Sequence, residues 1–195
     1  MHKFEIPDDV VNACIERRGR LEVFTQLEPS RLALVVIDMQ NAWVEPGASP
    51  LEIPVTRSIV DNINRLAEVV RATGGIVAWT QSTFPADWTN RMYAHFVTKD
   101  LRNQMITETA VGSQGYKLSD RMDVHEEDLK VPKNRPSAFI QGSSNLESLL
   151  RERGRDTLIV TGTLTNACCE SSIRDAMALG FHNIIISDGT ATRSD

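Results

Sequence analysis

Short unbroken apolar runs alternate along the chain with stretches in which apolar residues recur every three or four positions. Leu32-Ala-Leu-Val-Val-Ile37 is a continuous apolar run that ends at Asp38. Its length and its Val/Ile content predict a strand buried on both faces, the mark of a parallel sheet. After a Pro/Gly-rich loop, Glu45-Pro-Gly-Ala-Ser-Pro50, the apolar residues Ile59, Ile63, Leu66 and Val70 fall at helical spacing. Gly74-Gly75 stops that helix, and Gly75-Ile-Val-Ala-Trp-Thr80 reads as the next strand. Together these form one βαβ unit with a right-handed crossover. The alternation resumes with strand Leu129-Lys-Val-Pro-Lys133, a helix over about 146–153, strand Thr157-Leu-Ile-Val-Thr161, a helix over about 168–179 and strand Asn183-Ile-Ile-Ile-Ser187. Such a pattern predicts an α/β fold: a doubly wound, mostly parallel sheet with helices on both faces, in a Rossmann-like three-layer arrangement.

Two stretches fall outside the alternation. Residues 1–30 read as a short polar helix over 8–18 and an extended lead-in, too little for a domain, so the domain proper spans 31–195. Residues 81–128 are polar, carry Trp88, Tyr93, Phe96 and Tyr116, and have helical character only around 90–102. They predict an insertion covering one end of the sheet. With 195 residues, 41% hydrophobic and 24% charged, the chain is large enough to bury a core without disulfides or metals. Its 26 acidic against 21 basic residues give a net charge of -5, which argues against nucleic acid or an anionic membrane as partner. No apolar run approaches the ~20 residues that span a bilayer, and the first 20 or so residues lack a secretory signal. The cysteines, Cys14, Cys168 and Cys169, form no disulfide framework, so a reducing, cytoplasmic location is expected.

In open parallel sheets ligands bind beyond the carboxyl ends of the strands. Asp38, Gln81-Ser82, Lys133 and Thr165-Asn-Ala-Cys168 all fall there. Singly, each has an ordinary explanation: a strand-end Asp caps a helix, a Lys is solvated, a Cys fills a small core space. The convergence of an acid, a lysine and a thiol at one sheet edge is what singles them out. Gly162-Thr-Leu-Thr165 leads from strand to helix, so Cys168 lies at a helix N-terminus. The partial positive charge there, with a nearby lysine, predicts a lowered thiol pKa, and the same amides are candidates for holding an oxyanion. Cys169 points about 100° around the helix and reads as packing.

Three ordered blocks resemble the isochorismatase-like cysteine hydrolases over nearly all of residues 31–190. They are Leu34-Val-Val-Ile-Asp38-Met-Gln-Asn41, Val131-Pro-Lys133-Asn-Arg-Pro-Ser137-Ala-Phe139 and Val160-Thr-Gly-Thr-Leu-Thr165-Asn-Ala-Cys168-Cys-Glu170 with Arg174-Asp175-Ala176 behind. The resemblance implies a catalytic Asp38, Lys133 and Cys168, oxyanion amides at Leu164 and Cys168, and a cis peptide between Thr163 and Leu164, a bond type rare outside proline. A cysteine in the nucleophile position implies C–N hydrolysis rather than acid-catalysed ether cleavage. The loop that carries a metal-binding Asp and two His in nicotinamidases reads Gln81-Ser-Thr-Phe-Pro-Ala-Asp-Trp-Thr-Asn90 here, and His2, His95, His125 and His182 show no ligand spacing, so no metal and no cofactor are expected. The details look most like the ureidoacrylate and N-carbamoyl amidohydrolase branch, implying a small linear amide or ureido substrate and ammonia as product. On location alone, Gln81, Trp88, Phe139 and Asn166 are expected to line the substrate pocket. Family resemblance further implies a homo-oligomer, dimer or tetramer, and a chain that ends at Asp195 without the family's closing helix. A lactam- or ether-cleaving relative and a catalytically silent binding domain are the competing readings.

Overall fold

The computed structural model describes residues 5–193. Strands β1 (Leu32–Ile37), β2 (Ile76–Ser82), β3 (Leu129–Lys133), β4 (Thr157–Thr163) and β5 (His182–Ala191) form one all-parallel sheet in the order β3-β2-β1-β4-β5. The helices are α1 (Asp8–Arg18), α2 (Asn41–Val44), α3 (Val60–Ala72), α4 (Ala86–Met92), α5 (Lys99–Glu108), α6 (Leu146–Glu152) and α7 (Glu170–Ala178).

Alternation along the strands divides the core in two. On one face Leu34, Val36 and Trp79 pack against Ile63, Ala67 and Val70 of α3. On the other, Val35, Ile37 and Val160 pack against Leu146 and Leu150 of α6 and Ala176 of α7. All six residues of β1 are buried, which explains its unbroken apolar run. The chain builds outward from β1 through β2 to β3, then crosses back to lay β4 on the other side of β1. The loops leaving β1 and β4 therefore diverge and open a crevice at the carboxyl edge, where such sheets bind ligands.

Residues 81–128 hold α4, α5 and a long loop pinned to the sheet edge. The Gln40 side chain donates to the carbonyls of Ser82 (3.1 Å) and Tyr116 (2.9 Å). The helix predicted over 8–18 is present as α1; it buries none of its residues. Phe24 in the lead-in stacks on His182 of β5, ring centroids 4.8 Å apart. β5 runs beyond its predicted end, through polar Ser187 and Asp188, because Thr190 and Ala191 resume pairing with Gly162 and Thr163 after an irregularity in the ladder. Of its isoleucines, Ile184 and Ile186 pack on the α3-side core, and Ile185 is exposed.

Candidate active site

Asp38 is the first residue beyond β1 and turns the chain with φ 53°, a left-handed conformation that Asp tolerates better than most residues. Thr80 of β2 holds this turn from both ends. Its hydroxyl accepts from the Asp38 amide (3.2 Å) and donates to Asp38 Oδ1 (2.7 Å). The other carboxylate oxygen lies 2.8 Å from Lys133 Nζ, at the end of β3. Both residues are buried, Asp38 at 2% and Lys133 at 1% exposure, so each charge depends on the other. Lys133 Nζ also donates to the Arg135 carbonyl (3.1 Å) and reaches Ser82 Oγ (3.4 Å) and Cys168 Sγ (3.5 Å). Burial opposes the charge on Lys133, yet Asp38 and Cys168 beside it hold the ammonium above the ordinary lysine value.

The approach to Cys168 is set by a glycine. Gly162 has φ +106°, and a Cβ there would lie 2.1 Å from the Ile37 carbonyl oxygen, so only glycine lets β4 pass this close to β1. The Thr163–Leu164 peptide that follows is cis. Thr163 Oγ1 donates to the Ala191 carbonyl at 3.2 Å, anchoring this corner to β5. The chain then makes one wide π-type turn, Thr165–Cys169, before α7, in place of the single helix predicted from residue 168. Such turns recur at functional sites, since they displace one residue from the helical register. Here the turn presents Cys168 to the cavity and sends Cys169 into the α6–α7 core, where its thiol faces the Thr161 carbonyl at 3.8 Å.

One expectation is corrected. Cys168 was expected to have a lowered pKa, but burial pushes the thiol up to about 12, the Asp38 carboxylate adds to that, and Lys133 only partly offsets it. The resting sulfur is a protonated thiol beside a potential base.

Asp38, Ser82, Leu164 and Cys168 open on a cavity of about 440 Å³ whose walls include Trp43, Leu51, Ile53, Phe84 and Tyr93. Arg193 brings the only guanidinium among its lining residues; it donates to the Leu51 carbonyl at 2.9 Å, and no described carboxylate pairs with it.

The residues expected to line the pocket lie elsewhere. Gln81 is on the opposite face of β2 from Thr80 and Ser82, and its side chain donates to the Tyr116 carbonyl (3.0 Å). The strand's two-residue period makes Ser82 the pocket residue and Gln81 its neighbour. Phe139 is core, 7% exposed and packed on Phe181 with ring centroids 5.5 Å apart. Asn166 accepts from Thr192 Oγ1 at 2.6 Å and is absent from the cavity wall. Trp88 sits behind that wall, its edge against Tyr93 and the Arg135 guanidinium 4.6 Å over its ring. Thr80 and Ser82 were legible from the alternation of β2; Tyr93 and Arg193 come from segments without a periodic signal.

Among the described residues no three His, Cys, Asp or Glu side chains converge to hold a metal ion. His182 stacks on Phe24, His125 faces Asp123 and Glu127, and His2 lies outside the described residues. No described helix is long and apolar enough to cross a membrane.

Comparison with known proteins follows the same lines. Ureidoacrylate amidohydrolase RutB of Klebsiella pneumoniae subsp. pneumoniae is 31% identical over 179 residues, covering 83% of this chain and 74% of its own length. A cysteine hydrolase from Pseudomonas syringae pv. phaseolicola superposes with a TM-score of 0.74 at 28% identity, over 85% of this chain and 75% of that one. N-carbamoylsarcosine amidase from Thermoplasma acidophilum gives 0.68 at 25% identity, over 85% and 86%. The family model of the isochorismatase domain matches residues 32–195, from the first residue of β1 across every strand that supplies the site, and the chain belongs to the isochorismatase family.

Proposed function

We propose that the protein is a metal-independent cysteine amidohydrolase that cleaves a C–N bond of a small ureido or amide acid through a thioester. The observation that carries the reading is the buried contact of Lys133 with both Asp38 (2.8 Å) and Cys168 (3.5 Å), the latter two lining a largely apolar cavity. Because the resting thiol is protonated, Asp38 takes its proton as the sulfur attacks the carbonyl carbon and the C–S bond forms. Lys133 stays charged throughout and offsets the negative charge that moves from carboxylate to sulfur to oxyanion. Leu164 and Cys168 both line the cavity, and their amides are the donors proposed for that oxyanion. Asp38 then returns the proton to the nitrogen as the C–N bond breaks and ammonia leaves. In the second half Asp38 takes a proton from water, the new hydroxyl adds to the thioester carbon, the C–S bond breaks, and Asp38 returns the proton to the departing sulfur to restore the thiol. From a ureido substrate the product is a carbamic acid, which loses carbon dioxide.

Arg193 supports an acidic substrate. A guanidinium on an apolar wall with a single carbonyl partner retains donors for a carboxylate at the far end of the molecule. The names of the relatives, ureidoacrylate amidohydrolase and N-carbamoylsarcosine amidase, describe substrates of that kind.

The test is ammonia release from ureidoacrylate and N-carbamoylsarcosine in the presence of a chelator, with mass spectrometry of the quenched enzyme. Wild type should turn over and carry an acyl adduct on Cys168. Cys168→Ala should lose at least 1000-fold in rate, as expected when a nucleophile is removed (~4 kcal/mol), while Cys169→Ala retains turnover. Chelator-sensitive activity that zinc restores, or an adduct on Cys169, would overturn the reading.

A further inference from the structure

We propose that Tyr93 is a substrate-positioning residue, its hydroxyl hydrogen-bonding the ureido group at the reactive end of the cavity. The inference rests on the ureido-acid reading above and goes beyond it by assigning the group that orients the scissile bond.

Tyr93 caps the C-terminal end of α4, and its backbone is fixed on both sides. Its amide donates to the Thr89 carbonyl (2.9 Å), and its carbonyl accepts from the amides of Phe96 and Val97 (3.2 Å each). The ring is clamped edge-on between Phe84 (centroids 6.0 Å) and Trp88 (5.7 Å). Trp88 is itself covered by the guanidinium of Arg135, whose carbonyl receives the Lys133 ammonium. A half-buried tyrosine held this firmly ordinarily gives its hydroxyl a partner. Tyr93 makes only ring and backbone contacts among the described residues, and it lines the same cavity as Cys168 and Ser82.

Trp88 and Arg135 link Tyr93 to Lys133, whereas Arg193 is held at the Leu51 carbonyl. Burial holds the phenol above its ordinary value. It is therefore a neutral hydroxyl, on the wall of the cavity that Ser82 and Cys168 also line, able to accept an N–H or donate to an oxygen of the planar ureido group. A hydrogen bond there fixes the rotation of the carbonyl about the S–C approach line, which sets how often a bound substrate is aligned for attack.

The experiment compares wild type with Tyr93→Phe, which keeps the clamped ring and removes only the oxygen. Two readings are taken: kcat/KM for ammonia release from N-carbamoylsarcosine and ureidoacrylate, and the rate at which methyl methanethiosulfonate, which has no ureido group, modifies Cys168. The expected result is a loss of about tenfold in kcat/KM, the size of one unmade buried hydrogen bond, with Cys168 modification unchanged within twofold. Unchanged kcat/KM overturns the proposal. Parallel loss of both rates also overturns it, because the residue is then structural. If wild type itself releases no ammonia from either compound, the ureido-acid reading fails first and the inference falls with it.

Discussion

The Cys168 thiol sits between an ammonium that favours its ionised form and a carboxylate that opposes it, inside a protein wall that disfavours the ionised form. Burial is the largest influence and raises the thiol, so in the proposed mechanism Asp38 acts as base in the same step as attack. This has a direct consequence for labelling. Only the thiolate reacts, so modification of Cys168 by a neutral methanethiosulfonate should rise about tenfold per pH unit from pH 7 to pH 10. A plateau near the ordinary thiol value of ~8.5 would show that burial does not dominate. The raised value also bears on folding. A group that holds its proton more tightly when folded contributes stability fully present below the ordinary thiol value and lost as pH rises through the raised one. At this scale the identities of Asp38, Lys133 and Cys168 were readable from strand ends and motif blocks. The ionisation of the sulfur was not, because dielectric surroundings have no sequence signature.

Among the elements, the junction between β1 and β4 sets the site more tightly than any helix does. Gly162→Ala would place a methyl carbon 2.1 Å from the Ile37 oxygen at a backbone angle that L residues avoid. Relief requires β4 to move away from β1, and with it Leu164 and Cys168. The variant should lose about 3 kcal/mol or more of stability by urea denaturation and nearly all turnover. A variant with wild-type stability would show that the strands are not held at this distance. The strands themselves were legible because each is a short apolar run bounded by glycine or a polar residue. Pocket residues were legible only as far as strand period was followed: Thr80 and Ser82 share one face, Gln81 the other. Phe139 was misplaced for a related reason. It follows a β3 residue in the motif block, but the chain turns at Ser137, whose hydroxyl accepts from the Phe139 and Ile140 amides and rolls the ring toward Phe181. The insertion gave the least warning, since Tyr93 owes its place to contacts with Phe84 and Trp88 rather than to any repeat.

Across the whole molecule, the two faces of the sheet carry different duties. The α3 side holds a buried polar knot: Asp128 accepts from Arg71 Nε (3.0 Å) and Nη2 (2.7 Å), from Trp79 Nε1 (2.8 Å) and from the His125 amide (2.9 Å). Burial pushes this carboxyl upward, but the hydrogen bonds from Arg71 and Trp79 outweigh it and hold it below the usual Asp value. Its contribution is therefore present above the unfolded value of ~3.9 and lost as pH falls through the lowered folded one. Asp128→Asn should cost about 2 kcal/mol at pH 7 and flatten the acid limb of a urea-midpoint profile, with turnover at pH 7 unchanged. Equal acid sensitivity in the two proteins would assign that limb to other carboxylates. The strand side chains that reach the reactive sulfur, Thr80, Ser82 and Lys133, share the face of Ala78 and Val131, which pack toward α6 and α7. One layer of backbone thus stands between the Asp128 knot and the side chains that reach the sulfur. Heat tolerance should therefore be adjustable from the α3 face: repacking Ile63, Ala67 and Val70 against the sheet leaves the atoms around Cys168 in place.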